Sequence, residues 1–255
     1  MMDQQQETTT NIFARFVVIW TFTTRFPMPK ALWPKKTVPG DKALSLMPLV
    51  SGLLGLFIGA VTAGVQYAGM PPLASVWFGV TVYALSGWAL HLDGWGDLWD
   101  GIGSGRSGEE MRSVIKDSHL GAYGAVGLVC ALGLWTSLLA PINIVQKIIA
   151  CSTAASLGRL AICSAAFFGV YPWEKGLAKG WVDGFTLGDL TVAFICTMPF
   201  AAFAPVRWLI AAPLVLILGA AMALWMNKRL GGTNGDVLGA AAVAGEILAL
   251  AVFSL

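Results

Sequence analysis

The sequence predicts an all-α, polytopic bundle of membrane-spanning helices, and three observations predict it. Hydrophobic residues make up 56% of the 255-residue chain and charged residues only 12%, about half the charged share of a soluble domain. The mean hydropathy is +0.72. Apolar runs of roughly twenty residues, enough to cross ~30 Å of hydrocarbon, recur along the whole chain. A soluble reading would need helices apolar on every side, with no polar face to meet water. Sixteen Lys and Arg against fourteen Asp and Glu give a net charge of +2, which leaves no basic footprint for nucleic acid.

Taken in order, the start (MMDQQQETTTN) is polar and lacks the basic region of a secretory signal, so the spans themselves are expected to direct insertion. Residues 12–26 are apolar but short and carry Arg15 and Arg25, which reads as an interfacial or re-entrant helix. Pro27, Pro29, Pro34 and Pro39 then mark an extended segment on the membrane surface. Seven spans are predicted at 46–68, 71–90, 121–141, 144–170, 188–204, 206–226 and 236–255, within a single membrane-embedded domain covering 1–255. Cys130, Cys151, Cys163 and Cys196 lie in apolar runs with no C-x-x-C pair, and read as small buried hydrophobes.

Loop charges set the expected orientation. Lys30, Lys35, Lys36, Lys42, Arg106, Arg112, Lys116, Lys175, Lys179, Lys228 and Arg229 fall on one side of the predicted bundle, and only Lys147 and Arg207 on the other. The cation-rich side is expected to be cytoplasmic, with the longer loops. Trp33, Trp88, Trp95, Trp99, Trp173, Trp181 and Trp225 fall near that boundary, as an aromatic belt would. The small residues of Gly55-x-x-x-Gly59 and of the Gly121, Gly124, Gly127 series allow helices to approach closely.

The chemistry is concentrated in the inner loop 91–120, which holds Asp93, Asp97, Asp100, Glu109, Glu110 and Asp117, six of the fourteen acids. Asp93, Asp97 and Asp100 are spaced i, i+4, i+7, which places three carboxylates on one helical face. Stacked like charges repel unless a cation sits among them. An oxygen-only donor set favours a hard cation such as Mg²⁺. The alternative is a solvated acidic face, which would not need Gly94, Gly96 and Gly101 beside it. Asp117 is expected to fold back as a fourth ligand, while Arg106, Arg112 and Lys116 are of the kind that clamps phosphoryl oxygens. Gly103-Ser-Gly-Arg-Ser-Gly108 matches G-x-G-x-x-G in form only, because no strand precedes it.

Further polar positions lie outside that loop. Arg159 falls inside a predicted span, where a charge faces a cavity or a partner, and both a substrate phosphate and Glu246 are open as its partner. The turn Gly231-Gly-Thr-Asn-Gly-Asp236 ends in a candidate N-cap at Asp236. Thr23, Thr24 and Arg25 bring a further cation toward the same side.

The segments HLDGWGDLWDG, KDSHLGAYG, GGTNGDVLGA, MPLVSGLLGLFIG and FARFVVIWTFTTRFPMP together resemble the cobalamin synthase family, the adenosylcobinamide-GDP ribazoletransferases. The resemblance implies a multi-pass enzyme of the bacterial inner membrane. It would use Mg²⁺ to join α-ribazole, or α-ribazole 5′-phosphate, to adenosylcobinamide-GDP with release of GMP. It implies Asp93, Asp97, Asp100 and Asp117 as metal ligands, and one of these acids or His119 as the acceptor of the hydroxyl proton. Arg25, His91, Arg106, Lys116, Ser118, Arg159, Asn234 and Asp236 are the expected substrate contacts. Expected partners are the two substrates and the lipid bilayer, with no nucleic acid; self-association is left open. Two rival readings remain at this point. A CDP-alcohol phosphotransferase would share D-x-x-D-G but should continue x-A-R where Ile102-Gly-Ser stands, and a transporter would route substrate past Arg159 and Glu246.

Overall fold

With no water in a bilayer core to satisfy peptide groups, apolar runs of this length must close their own hydrogen bonds as helices. The computed structural model describes residues 8–255; the polar stretch 1–7 of the sequence lies outside them. Among the described residues there is no strand, only an isolated parallel bridge between Thr8 and Thr37. The helices in chain order are α1 (Ile12–Thr23), α2 (Gly40–Leu44), α3 (Met47–Tyr67), α4 (Pro72–Tyr83), α5 (Ala89–Gly103), α6 (Gly108–Ile115), α7 (Ala122–Leu139), α8 (Ile144–Phe168), α9 (Lys179–Val182), α10 (Leu187–Ala201), α11 (Pro205–Arg229) and α12 (Gly235–Ser254).

Six helical segments are long and apolar enough to cross a membrane: Gly40–Tyr67, Pro72–Gly103, Ala122–Leu139, Ile144–Phe168, Pro205–Arg229 and Gly235–Ser254. The protein is therefore a multi-pass membrane protein. The seventh predicted span, 188–204, is α10, which has 15 residues and an internal Pro199. At 1.5 Å per residue it reaches about 22 Å, short of the ~30 Å hydrocarbon thickness. The first apolar segment is the 12-residue α1.

The axis of the bundle is α8, buried along most of its length and packed against α3, α10, α11 and α12. Small side chains make this possible. A Cβ on Gly55 would lie 2.5 Å from the Cys151 carbonyl oxygen, and one on Gly59 would lie 2.6 Å from Ile148 Cα. The G-x-x-x-G pair of α3 thus lies directly on the α8 backbone, as its spacing predicted. Cys151 and Cys163 are buried, whereas Cys130 is exposed because its side of α7 faces outward.

Charge is also buried at the centre. Arg159 of α8 forms an ion pair with Glu246 of α12. The Glu246 carboxylate accepts from Tyr83 Oη at 2.9 Å and from Trp135 Nε1 at 3.2 Å, so four helices meet at one polar hub. Arg159 also donates to Tyr83 Oη at 2.8 Å. Of its two open partners, Arg159 has Glu246. Trp88, expected in the interfacial belt, is instead wholly buried and stacks on Tyr83 with ring centroids 4.8 Å apart.

The acidic segment is not a loop. A π-helical turn, Ala84–Trp88, joins α4 to α5, and the helix continues through Gly103. Its 32 residues bend at Gly87, so the acidic end is a second helical arm beyond the kink. The turn needs Gly87, whose φ is +138° and whose Cβ would fall 2.1 Å from the Thr23 carbonyl oxygen. The end of α1 is seated on this turn, where Arg25 N–H donates to the Ser86 carbonyl at 2.8 Å.

Candidate active site

Two helices bring the acids together. Asp93 and Asp97 are one turn apart on α5, and Asp236 stands in the first turn of α12. The helices approach closely because Gly94 faces Asp236: a Cβ there would lie 2.9 Å from Asp236 Cα. Asn234, not Asp236, is the N-cap of α12. Its Oδ1 accepts from Val237 N–H at 3.0 Å, while its Nδ2 donates to Asp236 Oδ2 at 2.8 Å. Asp236 thus projects from the positive end of a helix dipole, which stabilises a carboxylate there.

The charges of Asp236, Asp93 and Asp100 all bear on Asp97, and that of Asp93 bears on Asp236. Among the described residues, none of Asp93, Asp97 and Asp236 takes part in an ion pair. Like charges crowded without a counter-cation are unfavourable unless something positive joins them.

Asp93 lies where three clefts meet. One, of about 510 Å³, is shared with Thr24 and Arg25. A second, of about 330 Å³, is shared with Asp97 and Ser118. The third, of about 200 Å³, is shared with His91 and Asp236. Arg25, His91, Ser118 and Asp236 therefore each share a cleft with Asp93, and Asn234 joins them through its hydrogen bond to Asp236.

Other expected site residues lie elsewhere. Both oxygens of Asp100 accept from α7, from Gly121 N–H and Gly124 N–H at 2.8 Å each, so this carboxylate caps a helix that has no side-chain cap of its own. Asp117 does not fold back onto the other acids. It is exposed and accepts from His119, from its backbone N–H at 3.1 Å and facing Nδ1 at 2.7 Å. Those hydrogen bonds hold the Asp117 carboxyl below the usual range. Accordingly, among the described residues no three acidic, histidine or cysteine side chains converge as a metal cage. Arg106 and Lys116 are exposed on the connection between α5 and α7 and line none of the three clefts. Arg159 is 1% exposed, in the hub. Arg112 pairs with Glu109 at 3.0 Å and lies 4.6 Å from the Trp173 ring centre.

The residues not singled out as site groups by the sequence are apolar. Phe22, Leu177 and Trp181 wall the smallest cleft, and nothing in their local pattern separates them from interfacial or loop hydrophobes. Their role becomes visible only when α1 and the segment before α10 are folded against α5.

The family model described as cobalamin-5-phosphate synthase matches residues 15–254. An adenosylcobinamide-GDP ribazoletransferase of Klebsiella pneumoniae subsp. pneumoniae is 31% identical, over 92% of this chain and 97% of its own length. Those of Brevibacillus brevis and Fusobacterium nucleatum are 30% and 27% identical, covering 91% and 88% of this chain and 94% and 91% of their own lengths. No solved structure matches.

Proposed function

The chain belongs to the cobalamin-5-phosphate synthase family, and from that premise we propose that Asp93, Asp97 and Asp236 are the centre at which it works. It is a membrane-embedded enzyme of cobalamin biosynthesis that joins ribazole to adenosylcobinamide-GDP. The CDP-alcohol and transporter readings give way to this family membership.

The observation that carries the site assignment is the group of three carboxylates that form no ion pair among the described residues, around Asp93 where three clefts meet. In the transfer, a ribose hydroxyl attacks the cobinamide-side phosphorus of the diphosphate, and GMP departs with the electrons of the broken P–O bond. Mg²⁺ suits the donors present: it is commonly held by one or two carboxylates and completed by substrate phosphate, so a full protein cage is not required. Asp93 and Asp97 would hold it, with Asp236 behind them, and bound there it would neutralise charge on the diphosphate. Asp100, already engaged by α7, serves to fix α5 against that helix.

Arg25 is the cation placed by the fold in a cleft with Asp93, and it is suited to grip a phosphoryl oxygen. The proton acceptor is one of the clustered acids, which line the clefts. His119 is paired with Asp117, its side chain is 90% exposed, and it lines none of the three clefts. The charge distribution supports this end of the bundle facing the cytoplasm, and the family supports a bacterial inner membrane.

The test is turnover by purified protein given both substrates and Mg²⁺. Asp97→Asn keeps the shape and removes the charge, and is expected to lower kcat at least 100-fold while membrane insertion is unchanged. Full activity of Asp97→Asn would remove the site assignment.

A further inference from the structure

We propose that the cavity of about 200 Å³ between α1, α5, α8, α12 and the segment leading into α9 holds the benzimidazole base of ribazole, leaving its ribose at Asp93 and Asp236. The assignment rests on the ribazole transfer proposed above for the same acids.

The cavity is walled mainly by apolar side chains, with its polar groups gathered at one part of the lining. Phe22, Met47, Leu90, Ile162, Trp181 and Leu238 form its walls. Its polar lining from side chains is confined to His91, Asp93 and Asp236. His91 is 4% exposed, and its Nε2 has no hydrogen-bond partner in the protein. A buried ring nitrogen left unpaired is unfavourable, and a ligand group that satisfies it gains that energy back.

Size and polarity choose among the substrate parts. A corrinoid macrocycle is several times larger than this space. Guanine would fit by size, and its N–H edge could meet a carboxylate, but its carbonyl and ring-nitrogen acceptors would face apolar walls or the acids and be left unsatisfied. A methylated benzimidazole riboside presents apolar edges and one acceptor, its unsubstituted ring nitrogen. His91, which lines the cavity, is the matching ring N–H donor. The two acids then stand beside the cavity where the ribose, which carries the reacting hydroxyl, must emerge.

The test measures KM for ribazole, for the riboside of unmethylated benzimidazole and for adenosylcobinamide-GDP with the purified full chain. Ala178→Leu narrows the cavity and is expected to raise KM for ribazole about tenfold, the unmethylated riboside less, and adenosylcobinamide-GDP by under twofold. Leu177→Trp makes a similar change at the exposed mouth without entering the core, so a folding defect in the first variant leaves the test intact. Leu238→Ala enlarges the space and is expected to admit a three-ring base that the parent protein rejects. His91→Leu should raise KM for ribazole, with partial recovery in His91→Gln. Unchanged selectivity among bases in these variants, or a rise confined to the KM of adenosylcobinamide-GDP, would overturn the assignment while transfer by the parent protein stood. A parent protein that transfers no ribazole would overturn the transfer reading itself, and this assignment with it.

Discussion

Asp93, Asp97 and Asp100 share a helix face, yet their partners differ. Asp93 and Asp97 meet open clefts, while Asp100 is held by two backbone amides of α7. The periodicity of the sequence was enough to place the three carboxylates together, but not to say that one of them caps a neighbouring helix. That contact is made across 21 residues of chain and has no local signal. The buried hub follows the same rule: Arg159 was marked by its position in a span, and its partner Glu246 by the other buried charge. Removing one member of such a pair leaves an uncompensated charge. Arg159→Met is therefore expected to cost about 3–5 kcal/mol, read as lower thermal stability in detergent, and adding Glu246→Met should restore most of it. On the surface, Glu109 accepts from Arg112 and Trp173, which holds its carboxyl below the usual range. Because the folded pKa is the lower one, this contact contributes above the carboxylate range and is lost as pH falls through it. Protection from hydrogen exchange in residues 108–115, taken relative to the intrinsic amide rate at each pH, should fall on acidification, and Glu109→Gln should remove that dependence.

At the scale of elements, α5 is the helix whose face the i, i+4, i+7 spacing predicted, within a segment named as a loop. Its glycines at 94, 96 and 101 each lower helix propensity by about 1 kcal/mol relative to alanine. Packing overrides this: Gly94 admits Asp236, and at 2.7 Å from a Cβ on Gly101 lies the Ile115 side chain. The same glycines that weaken the isolated helix let α12 and α6 reach it. A second case is Gly87, which no motif marked. Gly87→Ala must move the Thr23 carbonyl and adopt an unfavourable φ, at a cost on the order of 1–3 kcal/mol. It should shift the end of α1, and with it Arg25, away from Asp93. A fall in kcat/KM larger than the loss of stability explains is the expected result; wild-type kinetics would detach α1 from the site. Helix number was legible to within the short ones. Hydropathy marked α10 as a span; it has only 15 helical residues, and it carries the chain from the Lys42–Asp189 pair to the 203–207 turn beside Val252.

For the whole molecule, hydropathy and charge distribution made the membrane bundle legible, because lipid exposure and span length act on composition directly. The grouping of the site was legible in part. Asp93 and Asp97 come from one motif and Asp236 from another more than a hundred residues away, and only the α5–α12 contact shows that they form one cluster. The apolar cavity was not legible, since its walls come from α1, α5, α8, α12 and the segment into α9. The central claim is that Asp93, Asp97 and Asp236 form a single catalytic centre for ribazole transfer. Its most direct measurement is the rate of product formation by purified Asp93→Asn, Asp97→Asn and Asp236→Asn proteins, each shown to be folded, beside Asp41→Asn as a control acid on the same side. The account predicts at least a 100-fold loss in each of the three and near-normal turnover in the control. Normal turnover in any one of the three would contradict it.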